Sequence, residues 1–282
     1  MQSPLAAGTT LEPFFELEGV PVFCNVLYED AASARAAARG DITLGVCPSS
    51  GFVFNTSFDP AKLAYSPRYE NSLHFSPRFD AWARGMAAEL TRPHGDDELV
   101  IDVGCGQGDF LRTIAESKRC HAIGFDQSID AMHEEDFGNG SRFELRNAYL
   151  DAESFTGAPK LLMNRHVLEH VADPLALLRT FRGVLERRQD ARLYLEVPNA
   201  HWSFVQLGVW DLIYEHCGYF APCALREALT RAGFDIEVLR PEFGEQFLSA
   251  VARVRAGEAP KSDAAVHDVD DSLRDVREML EL

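Results

Sequence analysis

The strongest constraint on the fold is the stretch Leu99-Val100-Ile101-Asp102-Val103-Gly104-Cys105-Gly106-Gln107-Gly108-Asp109-Phe110, where an apolar run breaks into glycines at three alternate positions. Val100, Ile101 and Val103 suit a strand buried in a parallel sheet, while Gly104 and Gly106 let the backbone turn and approach a ligand closely. Phe110, Leu111 and Ile114 then open the apolar face of a helix. Beyond this unit, short apolar runs alternate with amphipathic stretches, which predicts an α/β fold built on a doubly wound parallel sheet. The predicted strands are 99–103, 121–125, 142–146, 160–163 and 191–197, with helices near 110–117 and 174–187. Two last strands, 234–239 and 246–252, predict a hairpin at the sheet edge.

The spacing is GxGxG and not the GxGxxG of dinucleotide sites. With Asp102 two residues before the first glycine, the loop resembles the cofactor loop of class I methyltransferases that use S-adenosylmethionine. That resemblance implies a Rossmann-like sheet ending in such a hairpin, with Asp102, Gly104, Gly106 and Gly108 around the cofactor. Asp126 ends the next apolar run, eighteen residues after Gly108, close to the ~20-residue spacing of a ribose-binding carboxylate. Gln127 and Asn147 are placed near the ribose and adenine. The competing reading is that the glycines only turn the chain and Asp126 caps a helix.

Twenty-seven basic against forty-four acidic residues give a formal charge of −17, which disfavours nucleic acid and anionic lipid and favours a small-molecule acceptor. The six cysteines, Cys24, Cys47, Cys105, Cys120, Cys217 and Cys223, contain no CxxC pair, so reduced thiols are expected. The N-terminus lacks the pattern of a secretory signal, and no uncharged run is long enough to cross a bilayer. A soluble cytoplasmic protein is expected.

Two histidine-containing strings carry the candidate chemistry. In Met163-Asn164-Arg165-His166-Val167-Leu168-Glu169-His170, a predicted strand ends in two imidazoles, and ligands of doubly wound sheets bind outside the carboxyl ends of strands. His166 is therefore placed near the cofactor and His170, four residues on, along the same helical face. HVLEH is not HExxH and offers no evident third ligand, so no metal is assigned. The alternative is a helix start with two histidines of no special role. In Trp210-Asp211-Leu212-Ile213-Tyr214-Glu215-His216-Cys217-Gly218-Tyr219-Phe220, aromatic surroundings suit a neutral histidine as proton acceptor, with Glu215 and His216 as the expected pair. Its alternative is packing, with the acid and imidazole satisfying each other.

From Leu11 to about Val254 the chain resembles the sugar C-methyltransferases of deoxysugar and polysaccharide pathways. The strings that carry the resemblance are Cys47 to Asn55, Phe58-Asp59-Pro60, Tyr65 to Ser72, the glycine loop, His166 to His170 and Tyr214 to Phe220. It implies that Glu215 and His216 act as the catalytic pair, that His170 and the lid tyrosine Tyr69 serve the oxyanion, and that Tyr214 stands near the family's phenol. The implied reaction is methylation of a carbon next to a ketone through an enolate. Methylation of oxygen or nitrogen, and a noncatalytic cofactor-binding scaffold, are the alternatives.

The chain departs from that family in three ways. The zinc module keeps Cys24 and Cys47-Pro48-Ser49-Ser50 in place of two CxxC pairs, so no structural zinc is expected and aromatic packing must hold the cap. The sequence stops at Leu282, where many members continue into a further domain. Ile213 precedes Tyr214 where sugar enzymes tend to carry another histidine, which loosens the assignment of Tyr214. The expected organisation is an irregular cap or lid over 1–92, rich in proline and aromatics, a cofactor-binding domain over 93–256, and a polar linker with an amphipathic helix over 257–282. That helix leaves a homodimer open.

Overall fold

The computed structural model describes residues 1–24, 26–63, 73–129 and 133–257. The N-terminal part comprises β1 (Glu12–Pro21), α1 (Ala31–Arg35), β2 (Arg39–Val46), β3 (Val53–Asn55) and α2 (Pro77–Thr91). The glycine loop lies between β4 (Glu98–Val103) and α3 (Asp109–Ser117), followed by β5 (Cys120–Phe125), β6 (His133–Asp136) and β7 (Arg142–Arg146). Next come β8 (Leu161–Arg165), α4 (Pro174–Leu185), β9 (Arg192–Pro198) and α5 (Ala200–Val205). The second string contributes β10 (Gly218–Tyr219), ahead of α6 (Pro222–Arg231), β11 (Phe234–Glu242) and β12 (Phe247–Val254).

The main sheet runs β11-β12-β9-β8-β4-β5-β7-β6, with β9, β8, β4, β5 and β7 parallel. Both β4 and β8 bury consecutive residues, as a sheet covered on both faces requires. The order reverses between β4 and β8, so the ligand crevice of a doubly wound sheet opens at their carboxyl ends. The glycine loop leaves β4 there, and the first histidine string leaves β8. The expected strands and final hairpin are all present, within one to three residues at their ends. β6, an antiparallel edge strand on β7, was not expected; its four residues carry no apolar alternation to signal it.

Local chemistry starts the helices. Asp173 caps α4 by accepting the Ala176 N–H at 3.0 Å, with Pro174 at the first helical position. Gly108, at φ +83° in the left-handed region, opens α3, and a Cβ there would meet Phe143 at 2.9 Å.

The cap is more regular than its proline-rich sequence suggests. β1, β2, β3 and β10 form a four-stranded antiparallel sheet in that order. Register shifts between Pro13 and Phe15 and between Leu17 and Val20 break the alternation of β1, which hides it as a strand. The fourth strand comes from the distant second string, where Gly218 pairs Phe54 and Tyr219 pairs Val53. The Cys47 turn survives on backbone bonds, Gly51 N–H to Cys47 O at 2.8 Å and Cys47 N–H to Phe52 O at 2.8 Å. Rings fill in around it, with Phe52 4.9 Å from Phe220 and Phe58 5.7 Å from Tyr214. One continuous apolar core joins Leu5, Ile42 and Phe52 of the cap to Leu193 of β9, Phe220 after β10 and Leu225 of α6. All six cysteines are free thiols. Among the described residues, no helix is long and apolar enough to cross a membrane.

Candidate active site

The glycine loop is shaped by its neighbours. Gly104 and Gly106 sit at φ +75° and +55°; a Cβ on Gly104 would strike Val167, whereas one on Gly106 would meet nothing within 4 Å. Beneath the loop, Asp102 is buried with Oδ1 lacking a hydrogen-bond partner among the described residues. Burial pushes its carboxyl up to about 7, against the pull of Arg165. Asp126 lies at the mouth of β5 and binds the loop itself, accepting the Gly106 N–H at 2.8 Å and the Ser128 N–H at 2.8 Å. Asn147 reaches across from the end of β7 to the Gln127 carbonyl at 3.4 Å. Asp102, the three glycines, Asp126, Gln127 and Asn147 therefore share one edge of the sheet.

The two histidine strings meet beside this loop. Backbone and side chain lace them together: Cys217 N–H donates to Glu169 O at 2.9 Å, and His170 Nδ1 lies 2.9 Å from Glu215 O. His216 Nδ1 lies 2.9 Å from Asp211 O. A carbonyl only accepts, so each ring carries its proton on Nδ1 and its lone pair on Nε2 when neutral. The ring centroids are 4.8 Å apart at 73°. Burial, reinforced by neighbouring His170, drives His216 down to about 3 and keeps it neutral.

The expected support of His216 by Glu215 is not what the structure shows. Glu215 is fully buried, and its Oε2 accepts the N–H of Cys24 at 2.9 Å. Chain direction explains this: β10 hydrogen-bonds to the cap immediately after, so Glu215 faces that sheet. Tyr214 is likewise a packing residue, with no exposure, its hydroxyl accepting the Asp59 N–H at 2.9 Å and its ring filling the space above Gly40. Tyr69 lies outside the described residues.

The carboxylate that does face the imidazoles is Glu169, which the sequence reading passed over. It is 2% exposed, and neither oxygen has a hydrogen-bond partner among the described residues. Its Oε1 is 4.0 Å from His170 Nε2 and 3.7 Å from His166 Nδ1. One ligand-type atom each from Glu169, His170 and His216 falls within 4.8 Å of the others, so the second string brings a third ligand-type residue to the HVLEH string, which the sequence did not show. His166 Nε2 sits 3.0 Å from Glu196 Oε1, an ion-pair contact short of hydrogen-bond geometry. Burial opposes charge on His166, yet its contacts with Glu169 and Glu196 win and lift it to about 9. His166 thus lies behind the cluster, at φ +51°, a conformation few non-glycine residues adopt. Arg165 Nη2 (2.8 Å) and the Tyr194 hydroxyl (2.6 Å) complete the shell of Glu196, which they and His166 bring down to about 2 despite its burial. Tyr219 was also missed; its buried hydroxyl has no partner among the described residues, and its ring is 6.3 Å from that of His216. The spacing that could have found Glu169 is its place three residues after His166 and directly before His170.

Residues 75–239 match the family model described as a methyltransferase domain. Among curated proteins, the chain is 28% identical over 131 residues to the ubiquinone biosynthesis O-methyltransferase of Parvibaculum lavamentivorans, covering 45% of this chain and 47% of that protein. The match thus spans about half of that relative's length. Among solved structures, the N,N-8-amino-8-demethyl-D-riboflavin dimethyltransferase of Streptomyces davawensis shares 18% identity at a TM-score of 0.49, covering 62% of this chain and 54% of that one. Magnesium protoporphyrin IX methyltransferase from Synechocystis shares 19% identity at a TM-score of 0.45, covering 64% and 84%.

Proposed function

The chain belongs to the methyltransferase-domain family, and from that premise we propose that it moves a methyl group from S-adenosylmethionine to a small molecule whose proton is taken at the His170–His216 pair. The observation that carries this is the pair of Nε2 lone pairs, fixed by the carbonyls of Glu215 and Asp211, next to the glycine loop at the carboxyl ends of β4 and β8. The loop suits the cofactor: Gly106 leaves open space, and the partnerless Oδ1 of Asp102 is an acceptor suited to the cofactor's ammonium group. We assign the ribose to Asp126 and the adenine side to Asn147, a reading supported by their places just beyond the carboxyl ends of β5 and β7. Bound there, the cofactor supplies an electrophilic methyl on a sulfonium.

The chain's own residues then have three tasks. Asp102, Gly104, Gly106 and Asp126 hold and orient the cofactor. His216, neutral and with its lone pair on Nε2, takes the acceptor's proton, with His170 beside it. The enclosing rings keep water out, so that alignment and desolvation do most of the work.

We take the acceptor atom to be a carbon next to a ketone, because the strings Tyr65 to Ser72 and Tyr214 to Phe220 resemble those of the sugar C-methyltransferases. Methylation of oxygen is the second reading, supported by the O-methyltransferase relative. Calorimetry with S-adenosylmethionine and S-adenosylhomocysteine tests the cofactor: binding that Asp126→Ala weakens tenfold or more is expected, and no binding of either ligand would overturn the proposal. Labelled methyl transfer to ketosugar nucleotides and to phenols, read by product mass, then separates carbon from oxygen.

A further inference from the structure

Two carboxylates lie near the imidazole pair, and they face opposite ways. Glu215 is turned to the cap, where the Cys24 N–H holds it at 2.9 Å. Glu169 faces inward, with His166 on one side at 3.7 Å and His170 on the other at 4.0 Å. Both its oxygens are buried and lack hydrogen-bond partners among the described residues. An unpaired buried carboxylate is costly unless something holds its charge, and here that is a chain of alternating charges running back from the cluster. His166 is held by Glu196, which Arg165 and Tyr194 hold in turn. The chain is anchored in β8 and β9, neighbouring strands in the middle of the sheet, and turns the left-handed His166 into the link between sheet and site.

We propose that Glu169 is the positioning residue of this site: its carboxylate, locked from behind by His166 and Glu196, orients the His170–His216 pair and raises its basicity, the place the sequence pattern assigns to Glu215. The proposal rests on the reading of that pair as the proton acceptor. The groups facing the pair are Glu169 and His166 from the β8 side, Asp211 and Tyr219 from the second string, and each imidazole from the other. Of these, Glu169 alone is an anion lacking a hydrogen-bond partner among the described residues: the Asp211 carboxylate accepts the Ser203 hydroxyl at 2.6 Å. A carboxylate beside an imidazole stabilises the imidazolium that forms when the ring takes a proton, and with it the strength of the base.

The test needs no acceptor. The intact protein is treated with diethyl pyrocarbonate across a pH series, and the limiting acylation rate of each histidine in its neutral form is read by peptide mass mapping in the wild type, Glu169→Gln and Glu169→Asp. His201, on α5, is the internal reference. Glu169→Gln is expected to slow His170 and His216 at least tenfold relative to His201, with Glu169→Asp restoring much of the rate and the calorimetric affinity for S-adenosylhomocysteine changing less than threefold. Should Glu169→Gln fail to fold, His166→Gln, which removes the support from behind, is read in the same way and is expected to slow the same two residues. Unchanged relative rates at His170 and His216 in the folded variants would overturn the proposal, as would a loss spread equally over all histidines. Failure of S-adenosylhomocysteine to bind the wild type would instead strike the methyltransferase reading, and the acylation rates would still report on Glu169.

Discussion

The backbone N–H of Cys24 lies 2.9 Å from Oε2 of Glu215, so the acid adjacent to His216 in sequence belongs to the cap in space. Glu215→Gln keeps an oxygen for that N–H, whereas Glu215→Ala leaves a donor without a partner. Cys24 is exposed, so water replaces part of the lost bond and the cost is about 0.5–1.5 kcal/mol. Denaturant titration should therefore show a loss of that size for the alanine variant and clearly less for glutamine. A larger loss of turnover than of stability in Glu215→Gln would return Glu215 to the chemistry.

The loop glycines differ in what a side chain there would meet. A Cβ on Gly104 runs into Val167, while a Cβ on Gly106 meets open space. Gly104→Ala is expected to lower the melting temperature strongly. Gly106→Ala carries only the strain of a left-handed alanine, about 1 kcal/mol, but fills the space where the cofactor must approach. Its signature is a nearly normal melting curve with S-adenosylhomocysteine affinity down tenfold or more.

Two histidines make opposite contributions to the pH dependence of stability. His166 rises from 6.5 to about 9 in the folded chain; a raised histidine stabilises fully below pH 6.5, and that contribution fades as pH climbs through 9. His216 falls from 6.5 to about 3, so the unfolded chain binds its proton first, and stability drops as pH falls from 6.5 towards 3. Melting temperatures of single variants, compared with the wild type across this range, isolate the two contributions. His166→Gln should flatten the alkaline side and His216→Asn the acid side.

Removing the proposed base is expected to separate chemistry from binding. His216→Asn should lower turnover by about 10²–10⁴, the usual worth of general base catalysis, and leave donor affinity within threefold. Single-turnover methylation within a few-fold of wild type would assign the proton to another group.

Most of the main sheet was legible in the residues. Runs such as Leu99 to Ile101 and Leu161 to Met163 are apolar throughout because parallel strands covered on both faces need it, and glycines at alternate positions mark where the chain turns to a ligand. The cap was less legible. β1 loses its alternation at two register shifts, and a strand as short as Gly218–Tyr219 has no pattern of its own.

Sequence by itself determined the doubly wound sheet, the glycine loop at its edge and the two histidine strings, because each rests on residues close together in the chain. Which carboxylate serves the imidazoles was decided only by tertiary structure. Glu215 and Glu169 both sit directly before a histidine, and nothing local separates them. The pairing of β10 with β3 turns one towards Cys24, and the buried line of Glu196 and His166 behind β8 sets the other against the pair. Those contacts join residues far apart in sequence, and the direction of each carboxylate follows from strand pairing that no short motif encodes.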